Sequence, residues 1–206
     1  MRNPRRWNAD RPGGVDLTVT EQQQYRVVDV VGEVELREYA DCVVADVVVA
    51  GSAEQAGNAA FRPLLSYISG GNRAAAALAM TAPVIQQAAG ERLSMTAPVI
   101  QEATDGGRWT VSFVLPGERP IDEYPVPNDP RVSLRAVPTE TAAALKWSGR
   151  WTSGNVATRT EELRRAIAAA GWEATGEPRW ARFDPPWKPP FARRNEIVIP
   201  IRAIPS

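Results

Sequence analysis

From Tyr25 onward the chain switches between two hydrophobic periods. Val34-Glu35-Leu36-Arg37-Glu38-Tyr39 alternates apolar and polar residues, and Cys42 to Val49 is apolar and β-branched. This predicts two strands broken near Ala40-Asp41. Gly51-Ser52 then opens a helix. Ser52 and Gln55 have the spacing of a capping box, and Phe61, Leu64, Leu65 and Ile68 fall on one helical face. Pro63 lies within that face and predicts a kink or a second short piece, because proline removes a backbone hydrogen bond and crowds the preceding turn. Ser69-Gly70-Gly71-Asn72 closes the helix. Arg108 to Leu115 is a further alternating strand, and the five prolines between Pro116 and Pro130 predict a loop.

The second half repeats the plan. Ala142 to Ser148 reads as a strand. Asn155 to Ala170 reads as a helix with Leu163, Ala166, Ile167 and Ala170 on one stripe and Gly171 just past its end. Glu177 to Phe183 and Asn195 to Ile201 read as strands. Strands, helix, strands thus occurs twice, which predicts an α+β fold with two antiparallel sheets, each carrying a helix. No linker-like stretch separates two complete cores, so residues 21–206 form one domain. Residues 1–20, rich in Arg, Pro and Gly, have no period and no apolar stretch after Arg2, Arg5 and Arg6. They read as a flexible tail rather than a secretory signal.

Leu78-Ala79-Met80-Thr81-Ala82-Pro83-Val84-Ile85-Gln86 recurs as Leu93-Ser94-Met95-Thr96-Ala97-Pro98-Val99-Ile100-Gln101, an offset of 15 residues. That is too short for a solenoid unit. Each copy has one proline, a residue suited to a strand edge or bulge. Met80 and Met95 hold matching places; thioethers serve either as packing or as weak axial ligands for haem iron.

Composition narrows the chemistry. Lys+Arg and Asp+Glu are both 24, so net charge is zero and no basic excess points to a nucleic-acid partner. There is no histidine, which excludes Ser-His-Asp and Cys-His catalysis and His-ligated metal or haem. The single cysteine, Cys42, excludes an internal disulfide and a cysteine-based zinc site, and its apolar strand predicts an inert thiol; this usage fits a cytoplasmic protein. No apolar run is long enough for a membrane span.

The densest patch lies near the end: Phe183-Asp184-Pro185-Pro186-Trp187-Lys188-Pro189-Pro190-Phe191, then Arg193-Arg194-Asn195-Glu196. Its prolines preorganise a loop at low entropic cost. Such a loop either covers an apolar anionic ligand, with rings on the apolar part and Lys188 or an arginine on a carboxylate, or it plugs one end of the fold with Arg193 paired to Glu196. Glu196 itself, just before Ile197-Val198-Ile199, reads as an ion-paired residue at a strand mouth or as a general base in an apolar cavity. The stripe at Phe61, Leu64, Leu65 and Ile68 is core by default and a ligand wall otherwise.

Taken together, LAMTAPVIQ/LSMTAPVIQ, YISGGN and FDPPWKPPFARRNEIVIPI resemble the SOUL haem-binding protein family, and VELREYADCVVADVVV with NAAFRPLLSYISGGN falls where that family's first strands and helix fall. The likeness covers residues 25 to 202, and the duplicated Met-Thr-Ala-Pro-Val string resembles the family's bacterial branch. The resemblance implies a distorted antiparallel β-barrel of two four-stranded sheets flanked by two helices, with a pseudo-two-fold repeat. It also implies weak, reversible binding of haem or another porphyrin in a shallow groove, with Phe61, Leu64, Leu65 and Ile68 on the macrocycle and Lys188, Phe191, Arg193 and Arg194 from the loop, the cations meeting propionates. Haem without a strong protein ligand exchanges easily, which suits a carrier or buffer. The plan is also similar to GyrI-like small-molecule-binding domains; on that reading Glu196 is the base of a hydrolase, with Trp109, Trp147 or Trp180 shaping the pocket. A plainer reading is a partner-binding module that uses the Pro-rich loop.

Overall fold

The computed structural model describes residues 23–73, 90–93, 99–104, 106–184 and 188–203. The tail at 1–20, Met80, Met95, Trp187 and the first copy of the repeat lie outside the described residues. Among the described residues the strands are β1 (Tyr25–Val31), β2 (Val34–Tyr39), β3 (Cys42–Ala50), β4 (Asn72–Arg73), β5 (Val99–Thr104), β6 (Arg108–Val114), β7 (Val126–Pro127), β8 (Val132–Val137), β9 (Glu140–Ser148), β10 (Trp172–Ala174), β11 (Arg179–Arg182) and β12 (Arg194–Ala203). The helices are α1 (Ala53–Ile68) and α2 (Ser153–Ala169).

Nine strands form one antiparallel path, β1-β2-β9-β12-β11-β5-β6-β3-β8, with β10 added on β12 and a separate β4-β7 pair. The expected α+β class stands. The pairing runs through as a single sheet rather than two four-stranded ones, and among the described residues no ladder joins β1 to β8 to close a barrel. The reason is the β5–β11 ladder, which pairs Gln101 with Trp180 and welds the two halves.

The repeated plan is visible about that weld. β3-α1-β5-β6 and β9-α2-β11-β12 are equivalent units, ordered β3-β6-β5 and β9-β12-β11 outward to inward. The strand before each unit crosses to the other: β2 pairs with β9, and β8 pairs with β3. Directly paired residues share a face of the sheet. Gln101 reaches Ala53 in α1, and its partner Trp180 reaches Thr160 in α2, so both helices cover one face.

Under α1 the core holds Val43, Ala45, Val47, Val111, Phe113 and Tyr124 with Leu64, Tyr67 and Ile68. Under α2 it holds Ala143, Leu145, Ile197, Ile199 and Ile201 with Leu163 and Ile167. Alternation along β12 sends Glu196 and Val198 to the opposite face, with Tyr39, Ala142 and Ala144. Pro63 does not break α1, which runs unbroken through it. The expected loop at 116–130 contains a short 3-10 turn at Ile121–Glu123, as well as β7.

Candidate functional site

The four predicted helix residues divide by direction. Leu64 and Ile68 are fully covered by the sheet. Phe61 stands edge-on to Phe113 with ring centroids 5.9 Å apart, and remains 38% exposed. Leu65 is half-buried on the rim of the same core. A stripe at i, i+3, i+4 and i+7 is the face a helix gives to its sheet, so its centre is core and only its borders reach solvent.

Two of the three predicted loop cations, Lys188 and Arg194, gather on one carboxylate. Lys188 Nζ lies 2.8 Å from Asp184 Oδ1, and Arg194 donates to Asp184 from both guanidinium and backbone, the backbone bond being 2.6 Å. Burial would raise the Asp184 carboxyl, but these hydrogen bonds outweigh it and hold it well below the usual carboxylate range. Arg193 Nε donates to the Lys188 carbonyl at 2.8 Å, and its own carbonyl accepts from Gly149 N at 3.1 Å. Phe191 projects from this scaffold 80% exposed. The loop is thus anchored on the second half, at β9 and β11, while Phe61 and Leu65 belong to the first.

Glu196 is buried, and its partner is Arg37 of β2, with 2.7 Å between Oε2 and Nη2. Arg37 also donates to Glu35 at 2.9 Å and to the Tyr39 hydroxyl at 2.6 Å, and its guanidinium lies 4.1 Å from the Tyr25 ring centroid. Burial opposes the Arg37 charge, but Glu196 and Tyr39 more than restore it and raise the group above its ordinary value. Burial and the Glu196 charge push the Tyr39 phenol up. The cavity beside Glu196 holds about 40 Å³, room for water but not for an organic substrate. Burial pushes the Cys42 thiol up to about 11, in keeping with an inert cysteine. Among the described residues no three His, Cys, Asp or Glu groups come close enough to hold a metal.

A larger cleft opens between the start of α1 and the first turns of α2. It has a volume of about 590 Å³ and is lined by Trp109, Trp151 and Trp180, by Ser52 at the start of α1, and by Val156 and Ala157 on α2. Trp109 Nε1 donates to the Gly51 carbonyl at 3.1 Å, and Trp180 Nε1 to Thr160 Oγ1 at 3.4 Å. The Trp109 and Trp180 rings are 5.3 Å apart, and Trp151 stacks with Trp147 at 5.9 Å and has the Arg182 guanidinium 4.3 Å from its ring centroid. The expectation that Trp109 and Trp180 shape a pocket concerns this cleft; Trp147 stacks behind its wall. Glu196 faces the other side of the sheet. The cleft and the Arg37–Glu196 pair have no local signal in the sequence, since the cleft's walls come from distant elements and Arg37 meets Glu196 across 159 residues.

The family model described as SOUL heme-binding protein matches residues 20–200. None of the curated proteins compared with the chain matches it. The C-terminal domain of EcmrR is similar in structure, with TM-score 0.60 and 14% identity over 87% of this chain and 99% of that one. The EcmrR chain of an EcmrR–DNA complex gives TM-score 0.59 and 14% identity over 83% of this chain, which spans 57% of that one. A hydrolase from Listeria innocua gives TM-score 0.51 and 10% identity over 82% and 92%. At these identities the likeness is one of fold. No helix among the described residues is long and apolar enough to cross a membrane.

Proposed function

Because the chain belongs to the SOUL haem-binding protein family, we propose that it binds haem or a related tetrapyrrole reversibly, as a carrier or buffer, without histidine ligation. The observation that carries this reading is the family match across residues 20–200. The macrocycle lies against the exposed rings and edges, Phe61, Leu65 and Phe191, with Leu64 and Ile68 as the packed floor behind them. Lys188, Arg193 and Arg194 meet the propionates, and Asp184 holds two of these cations in place. Arg194, 63% exposed beyond its bond to Asp184, can turn toward a second anion at little cost, since surface ion pairs are weak. Met80 and Met95 are the candidates for a weak axial bond. The Glu196 general-base reading gains no support from a carboxylate held by Arg37 beside so small a cavity.

The test is a haemin titration followed by absorbance, run beside iron-free protoporphyrin. A saturable one-to-one change is expected, weakened about tenfold in a Lys188→Glu, Arg193→Glu variant, since two exposed charge contacts together contribute about 1.4 kcal/mol. Equal binding of the iron-free ring would show that no axial bond matters. Non-saturating binding, or binding indifferent to the double substitution, would overturn the reading.

A further inference from the structure

β1 forms one end of the strand path, and among the described residues no strand pairs with its outer edge. Val27, Val28, Val30 and Val31 on it are each between 36% and 55% exposed. β8, at the other end, buries both its valines and exposes Ser133, Arg135 and Ala136 instead. Edge strands that stay single are commonly guarded by lysine, proline or a bulge. β1 has neither lysine nor proline, and its bulge leaves Val28 without a partner on β2. Directly paired residues share a face, so Tyr25, Val27 and Val30 lie with Tyr39, Arg37 and Glu35, while Arg26 and Asp29 lie with Glu38 and Leu36. The bulge thus turns Val30 onto the face of Val27 and keeps the apolar stripe whole, with one cation and one anion on the opposite face.

This edge is complementary to itself. A two-fold axis through Val27, perpendicular to the sheet, sets Val27 against its own copy. Counting along the ladder with Val28 bulged out, Arg26 then faces the copy's Asp29, and Tyr25 faces the copy's Val30. Moving the axis by one residue either way would set Arg26 against Arg26 or Asp29 against Asp29, and like charges directly opposite are destabilising. Both charges have capacity for the pairing. Arg26 bonds Glu38 at the exposed surface and keeps further guanidinium N–H groups for a second carboxylate. Asp29 accepts from the Val30 N–H at 2.8 Å. On pairing, that N–H takes a carbonyl of the copy, and the freed carboxylate meets the copy's Arg26. We infer that β1 is a homodimer interface, in which two copies of this chain join antiparallel through β1 about Val27, with reciprocal Arg26–Asp29 pairs on one face and Tyr25, Val27 and Val30 on the other. Nothing in this interface depends on the tetrapyrrole reading.

Sedimentation velocity of the full chain tests this, over roughly 2 to 200 μM, the range in which so small an interface self-associates. A monomer–dimer equilibrium is expected. Val30→Lys puts an edge lysine opposite Glu35 of its own hairpin, where the monomer tolerates it, and should leave the chain monomeric. The charges give a sharper readout. The two-fold repeats each pair, so Asp29→Arg alone or Arg26→Asp alone turns two attractive pairs into two repulsive ones and should weaken association about tenfold. Mixing these two variants should restore it, because every cross-strand pair in the mixed dimer again joins an arginine to an aspartate. Thermal melts taken at the lowest concentration show that each variant is folded. A chain that stays monomeric over the whole range would overturn the inference. So would a dimer indifferent to Val30→Lys, which joins through another surface, or a mixture that associates no better than either variant alone.

Discussion

At the scale of single residues, Arg37 is the side chain whose environment departs furthest from its type. It is fully buried, and three neighbours, Glu35, Tyr39 and Glu196, consume its donors. Removing one partner of a buried ion pair leaves an uncompensated charge, which costs about 3–5 kcal/mol. Glu196→Gln should lower stability to urea toward the low end of that range, because Glu35 still pairs with Arg37, while Arg37→Met combined with Glu196→Leu should lower it less than Glu196→Gln alone. A double variant no better than the single one would show that the pair is not the main contributor. Neither change should alter haemin affinity in the surviving folded protein. The sequence marks Glu196 as unusual by its place before an apolar strand, but its partner is 159 residues earlier, and only the pairing of β2 with β9 and β9 with β12 brings the two together.

At the scale of elements, local signals carried far. The Ser52 capping box forms as the spacing predicts, with Ser52 Oγ accepting from Gln55 N and Gln55 Oε1 accepting from Ser52 N, both at 3.4 Å. Ser52→Ala should cost about 1 kcal/mol of stability, read as a shift in the urea midpoint. No shift would show that packing against β3 and β6 alone holds the first turn. α2 follows its stripe, with Leu163 and Ile167 buried, and its start at Ser153 is two residues earlier than expected because Thr152 caps it. The kink expected at Pro63 is absent. Pro63 is itself buried against the core, and tertiary packing offsets the lost hydrogen bond. β1, β8 and β10 are not legible: Val132-Ser133-Leu134-Arg135-Ala136-Val137 is short and half-exposed, and it becomes a strand by pairing with β3.

At the scale of the whole molecule, the crossing of β2 and β8 between units predicts one cooperative system. Each half completes the other's sheet, and β5–β11 joins them. Urea unfolding followed by tryptophan fluorescence and by far-UV dichroism should give one coincident transition. Leu64→Ala in the first half and Leu163→Ala in the second, both at fully buried positions, should each move that single midpoint by about 2–5 kcal/mol. Two separable transitions would show that the halves fold independently.

The amino-acid sequence by itself determined the two helices, strands β2, β3, β6, β9, β11 and β12, the two-fold repetition of the plan, the capping of α1 and the exclusion of histidine and disulfide chemistry. These depend on composition and on neighbours within a few residues, where hydrophobic period and capping chemistry act directly. Its motifs also carried the family. The tertiary structure decided which border of the α1 stripe stays open, which carboxylate collects the loop cations, and where Arg37 meets Glu196. It also decided that Trp109, Trp151 and Trp180, scattered over three elements, share one cleft. Those outcomes depend on strand order and sheet face. An alternating pattern shows that a strand has two faces, but which one a helix covers is settled only when distant strands pair.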